Sequence, residues 1–247
     1  MNFAGAELLP RARGITGVLE SASMPAVTLD RHPMRLVAWL VFVGALAALS
    51  YGSRSLDVET PDDIAYRYSS SVAAAVQYGL MLVILLFIAR GLPLREVFGL
   101  RRPRSWPRAL GLAAVALLVI WTAAAALSPF LDASEEQGLV PTEWDPSRAG
   151  AFAAFFVSVT VLAPTVEELT YRGLGYAFLA PYGVVLAVVV TGVLFGAAHG
   201  LILGLPVLVI FGIAIGWLRA RTASVYPPIV LHAVFNGTAL IAAVATA

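Results

Sequence analysis

The chain has 247 residues, 60% of them hydrophobic and 13% charged, with a mean hydropathy of +0.85. A soluble domain carries about twice that charged share, so the composition excludes a water-soluble globule and predicts an all-α polytopic transmembrane helix bundle of about seven spans. The net charge of +1 gives nucleic acid no electrostatic attraction, all sixteen basic residues are arginine, and the absence of cysteine excludes disulfides, thiol catalysis and thiolate metal sites.

Residues 1–34 mix Arg11, Arg13 and Arg31 with Pro25 and Pro33 and read as a cytoplasmic N-terminal tail with room for a surface helix. The first apolar run begins near Leu36, late for a cleavable signal peptide. His32 stands among Asp30, Arg31 and Pro33 and reads as a solvated tail residue.

Residues 35–146 hold three spans, Arg35–Tyr51, Ser70–Ala89 and Ala109–Leu127. The loop between the first two carries Asp57, Glu59, Asp62 and Asp63, and the loop after the third carries Asp132, Glu135, Glu136, Glu143 and Asp145. Both acidic loops read as solvated. Between them lies a basic loop with Arg90, Arg95, Arg101, Arg102, Arg104 and Arg108. Arginine-rich loops mark the cytoplasmic side. That places the N-terminus inside and the acidic loops outside. An Ala-, Val- and Arg-rich, lysine-free chain is compatible with a high-GC genome, so a bacterial cytoplasmic membrane is the expected location.

The pattern changes in residues 147–247, which read as a core of about four helices. An apolar run reaches Leu162, then comes Pro164 and the segment Glu167-Glu168-Leu169-Thr170-Tyr171-Arg172. Pro181-Tyr182-Gly183 is a turn signal, and a second apolar run ends at His199. Residues 148–199 therefore read as a helical hairpin kinked near Pro164, which removes a backbone donor. Glu167 and His199 lie at similar distances from the turn, offset by roughly 3 Å in depth. The sixth span is Leu205–Leu218, closed by Arg219 and Arg221; the seventh is Ile229–Val244, with His232 and Asn236 on one face. The spacings Gly192/Gly196, Gly196/Gly200 and Gly212/Gly216 favour close helix approach. His232 comes early in its span and His199 late. For them to meet, helix ends must be uneven or Gly200–Pro206 must re-enter.

Glu167 and Glu168 are the only acids after Asp145. A charge in hydrocarbon costs roughly 2.5–3.5 kcal/mol or more, so intramembrane ionisable groups point to function. Glu167 is the candidate base toward water. Glu168, one turn before Arg172, is the candidate for orientation and charge balance. His199 can hold water or protonate a leaving amine; His232 and Asn236 can donate to the oxyanion of a tetrahedral intermediate. A divalent metal such as zinc is an alternative, with Glu167, His199 and His232 as three ligands and one open position. The paired-histidine zinc helix signature is absent, and no serine stands in a nucleophile elbow.

Three motifs, Glu167-Glu168-x-x-x-Arg172, Phe195-x-x-x-His199 and His232-x-x-x-Asn236, occur in that order, each in or beside an apolar span. At these residues the chain resembles the CPBP intramembrane proteases, the CAAX-prenyl endopeptidase and bacteriocin-processing family, over roughly residues 147–246. The resemblance implies a helical bundle with a water-accessible site inside the membrane, acting on peptide bonds of membrane-associated proteins or peptides. It implies Glu167 as the water activator with His199 as partner, and His232 and Asn236 at the oxyanion. The family has been described both as metal-dependent and as glutamate-dependent and leaves that choice open. Two other classes fit the embedded charges. One is a proton- or ion-coupled transporter, although no repeat relates the two halves. The other is a non-catalytic membrane partner or immunity protein.

Overall fold

The computed structural model describes residues 31–54, 56, 61, 63–131, 136 and 143–246. The tail to residue 30, including Arg11, Arg13 and Pro25, lies outside the described residues, as do Asp57, Glu59, Asp62, Asp132 and Glu135.

Among the described residues the secondary structure is entirely helical. The helices are α1 (Pro33–Arg54), α2 (Tyr68–Ile88), α3 (Trp106–Leu127), the composite α4 (Pro146–Tyr182), α5 (Val184–Ala197), α6 (Leu205–Thr222) and α7 (Tyr226–Thr246). Six of them are long and apolar enough to cross a membrane; α5, with 14 residues, is the shorter one. At 1.5 Å per residue α5 extends about 21 Å, less than a hydrocarbon core of about 30 Å. The predicted bundle is thus present, with six long spans and one short helix.

Two ends of the bundle can be told apart by their contacts. At one end Arg35 donates to the carbonyl of Ile88, Arg101 Nε to that of Ala223, and Val225 N–H to that of Gly99. His32 belongs to this end. It is half-buried, its ring edge-on to Phe178 at 6.4 Å, rather than solvated as its polar neighbours predict. At the other end Ser50 Oγ donates to Ala198 O, Tyr51 to Leu201 O and Tyr66 to Glu143 O. There Arg148 bridges Asp63 and Asp145. Glu136 is not merely solvated either: it pairs with Arg54 at 2.9 Å and accepts from the N–H groups of Ile202 and Gly204.

The expected kink in α4 takes a specific form. Residues Ser158–Leu162 and Leu169–Gly175 are π-helical. Such bulges shift the hydrogen-bond register by one residue and free carbonyls for outside donors. Ala163 N–H reaches Ser158 O, five residues back. The next donor in that register would be Pro164, which has no N–H. The freed Val159 carbonyl accepts instead from Asn236 Nδ2 of α7 at 3.0 Å. In the second bulge Thr170 O accepts from Trp39 Nε1 of α1 at 3.0 Å and Arg172 O from Arg219 Nε of α6 at 2.9 Å.

The close approach predicted from the small residues occurs between α5 and α6. A Cβ on Gly212 would stand 2.5 Å from Gly192 O, and one on Gly196 would stand 2.8 Å from Val209 Cγ2. Gly200 adopts φ +68°, where a side chain would also strike the backbone of Ser50. This glycine lets the chain leave α5 directly beneath α1.

Candidate active site

Helix α4 carries the two carboxylates on different faces. Adjacent helical residues point about 100° apart, so Glu167 and Glu168 cannot share one environment. Glu168 is completely buried and pairs with the equally buried Arg172, Oε1 to guanidinium, at 3.0 Å. This is the i,i+4 pairing that the motif spacing predicts. Arg172 also donates to Gly212 O at 2.7 Å and lies 4.6 Å from the centre of the Phe195 ring. The glycine contact of α5 with α6 thus brings a backbone carbonyl to the arginine.

His232 connects the two acids. Its Nδ1 lies 2.9 Å from Glu168 Oε1, and its Nε2 lies 3.8 Å from Glu167 Oε2. A carboxylate oxygen accepts, so Nδ1 carries the hydrogen of that bond. Glu168, neutralised by Arg172, therefore fixes the ring and leaves Nε2 facing Glu167. The other oxygen of Glu167, Oε1, accepts from the hydroxyl of Tyr78 on α2 at 2.7 Å.

Glu167, His199, His232 and Asn236 all line one cavity of about 760 Å³, together with Tyr78, Tyr171 and Phe195. His199 comes just after α5 and donates Nδ1–H to Phe195 O at 2.8 Å, since that carbonyl only accepts. Its Nε2 keeps a lone pair for the cavity. His199 shares the cavity with Glu167 and His232 without a hydrogen bond to either. Phe195, nearly inaccessible, stands between the imidazoles with ring centres 4.7 Å from His199 and 5.6 Å from His232. His199 follows the end of α5 and His232 lies in the second turn of α7, and both rings pack against Phe195. Asn236 lends one amide hydrogen to Val159 O and retains a second.

Among the described residues no three His, Asp or Glu side chains are grouped to hold a metal ion. Nδ1 of each histidine donates to a protein acceptor, which leaves Nε2 as the free ring nitrogen of both.

Sequence reading missed Tyr78. It lies in an unremarkable apolar span, about ninety residues before its partner, and nothing local marks it. Trp39 and Val159 went unnoticed for the same reason.

The fold and this site define a class: an integral membrane protein of helices whose buried acid–imidazole centre faces a cavity. Residues 149–238 match the family model described as type II CAAX prenyl endopeptidase Rce1-like. The resemblance seen in the three motifs is thus shown, and it is consistent with a CPBP-family protease. The matched stretch contains all four residues singled out as catalytic, whereas Tyr78 lies outside it. No curated protein and no solved structure matches the chain.

Proposed function

We propose that the chain is an intramembrane endopeptidase of CPBP type that hydrolyses a peptide bond in a membrane-associated protein or peptide. One observation carries the reading: the Glu167 carboxylate faces a cavity large enough for a polypeptide segment, with one oxygen held by Tyr78 and the other beside His232. At the level of family, the match over residues 149–238 supports a protease.

In this reading Glu167 takes a proton from a water molecule as the water attacks the scissile carbonyl, and returns it to the leaving amine. His199 Nε2 holds the water by accepting its other hydrogen. The second N–H of Asn236 donates to the oxyanion, and His232 Nε2 stands 3.8 Å from Glu167 Oε2. Glu168, Arg172 and Phe195 support these groups without touching substrate. Residues 147–247 form the catalytic core, completed by Tyr78 from the helices of residues 35–146. The bilayer encloses the whole, and the N-terminal tail lies in the cytoplasm of a bacterial cell.

The test is cleavage of a panel of membrane-spanning peptides by detergent-purified protein and by Glu167→Gln and His199→Ala. Cleavage by the wild type alone supports the reading. Equal cleavage by Glu167→Gln refutes it.

A further inference from the structure

Among the described residues, the cavity's exposed lining lies at one end of the bundle. Its rim is formed by Pro61, Ile64, Arg67, Ser69 and Ser70 before and at the start of α2, with Ser50 at the end of α1. Pro61, Arg67 and Ser69 are exposed, whereas Phe195, Tyr171 and His232 at the floor are buried. No cavity-lining residue comes from the loops that join α2 to α3 or α6 to α7.

Charge divides between the same two ends. The arginines at the rim end are all matched by acids: Arg54 with Glu136 at 2.9 Å, Arg67 with Asp63 at 2.5 Å, and Arg148 with Asp63 at 2.8 Å and Asp145 at 2.5 Å. At the opposite end, the arginines of the Arg90–Arg108 loop and Arg219 and Arg221 form no such pair among the described residues. What orients a short loop is its arginine content, to which nearby acids contribute little, and the opposite end carries eight of these arginines against three at the rim end.

Resting on the endopeptidase reading, we propose that the cavity opens on the extracytoplasmic face, so that the substrates are exported polypeptides still tethered to the membrane. The walls agree with such a guest. The upper cavity is lined by small side chains, Ser69, Ser70, Ala73, Ala74, Ala198 and Ala239, which leave room for an extended backbone. The aromatic floor of Phe195, Phe211 and Phe235 suits an apolar side chain next to the scissile bond. A polypeptide segment held in the cytoplasm would have to cross the bilayer to reach Glu167.

The chain has no native cysteine, so single cysteines report sidedness directly. Ser69→Cys, Pro61→Cys and the cavity-lining Ala74→Cys, with Arg102→Cys and Arg104→Cys at the arginine end, are exposed in intact cells to a charged, membrane-impermeant methanethiosulfonate. The expected result is full labelling of the first three in intact cells and of the last two only after lysis. Reversed labelling, equal labelling of both ends in intact cells, or an Ala74→Cys protected from outside while Ser69→Cys reacts would each overturn the proposal. Two variants at each end keep the test decisive if one fails to fold. The readout needs no proteolysis, so reversed sidedness leaves the endopeptidase reading intact, and loss of that reading through Glu167→Gln leaves the sidedness result standing.

Discussion

Replacing Glu168 by Gln isolates the charge of the buried pair. The amide keeps an oxygen where Glu168 Oε1 now accepts from Arg172 at 3.0 Å and His232 at 2.9 Å. Shape and hydrogen bonds are therefore nearly conserved, and what is lost is the negative charge opposite a guanidinium with no exposure to solvent. Gly212 O, at 2.7 Å, still accepts from Arg172 but supplies only a dipole. Breaking a buried pair by neutralising one member costs about 3–5 kcal/mol, because the remaining charge stays desolvated. That corresponds to a shift of roughly 10²- to 10³-fold or more in the folding equilibrium. The assay is reversible unfolding in mixed micelles, followed by tryptophan fluorescence. Combining Glu168→Gln with Arg172→Met removes both charges and is expected to recover most of the loss, since apolar replacements of buried pairs are often neutral. A single variant within about 1 kcal/mol of wild type would show that Arg172 is not desolvated and would refute the argument.

The other predictions concern separate parts of the site. Tyr78→Phe removes one hydrogen bond to a carboxylate, worth about 1.5–3 kcal/mol; kcat should fall about 10- to 100-fold with KM little changed, and an unchanged kcat would remove Tyr78 from the site. Gly212→Ala would place a methyl 2.5 Å from Gly192 O; forcing α5 and α6 apart should cost about 1–3 kcal/mol or more, whereas wild-type unfolding would mean that the contact is soft. Chelation by phenanthroline should leave cleavage intact, because no three-ligand group is present among the described residues; loss of activity restored by zinc would reverse that. Burial opposes ionisation of Glu136, but the N–H groups of Ile202 and Gly204 and the Arg54 guanidinium outweigh it and hold its pKa below the ordinary 4.5. A lowered folded pKa means that this stabilisation is complete above pH 4.5 and fades as pH falls below it. The protection factors of the Ile202 and Gly204 amides, exchange rates normalised to the intrinsic rate at each pH, should therefore fall on acidification below that value, and Glu136→Gln should abolish the dependence.

Asp145 follows the same sign at the same end of the bundle. The Ser147 hydroxyl and the Arg148 guanidinium hold its carboxyl down at about 2. The polar rim of the cavity is thus tied together by acids that stay ionised at ordinary pH, while the Glu167 centre lies deeper among aromatic rings.

Local physics made much of this protein legible in one dimension. Hydropathy located the spans because a membrane helix must satisfy its backbone internally and present apolar side chains to lipid. The pairing of Glu168 with Arg172, the alignment of His232 with Asn236, and the turn at Gly183 follow from helical periodicity and glycine conformation, which need no distant partner. Tertiary packing decided the rest. The assignment of Asn236 to the Val159 carbonyl required the π register that makes Pro164 the missing donor. Tyr78 met Glu167, and Trp39 met Thr170, because α1 and α2 pack against the bulged stretch of α4. The short α5, drawn against α6 through Gly192 and Gly212, carries His199 to the cavity that His232 also lines. Contacts within one helix are specified every three or four residues along the chain. Contacts between helices depend on crossing geometry and register, which emerge only when the helices pack together.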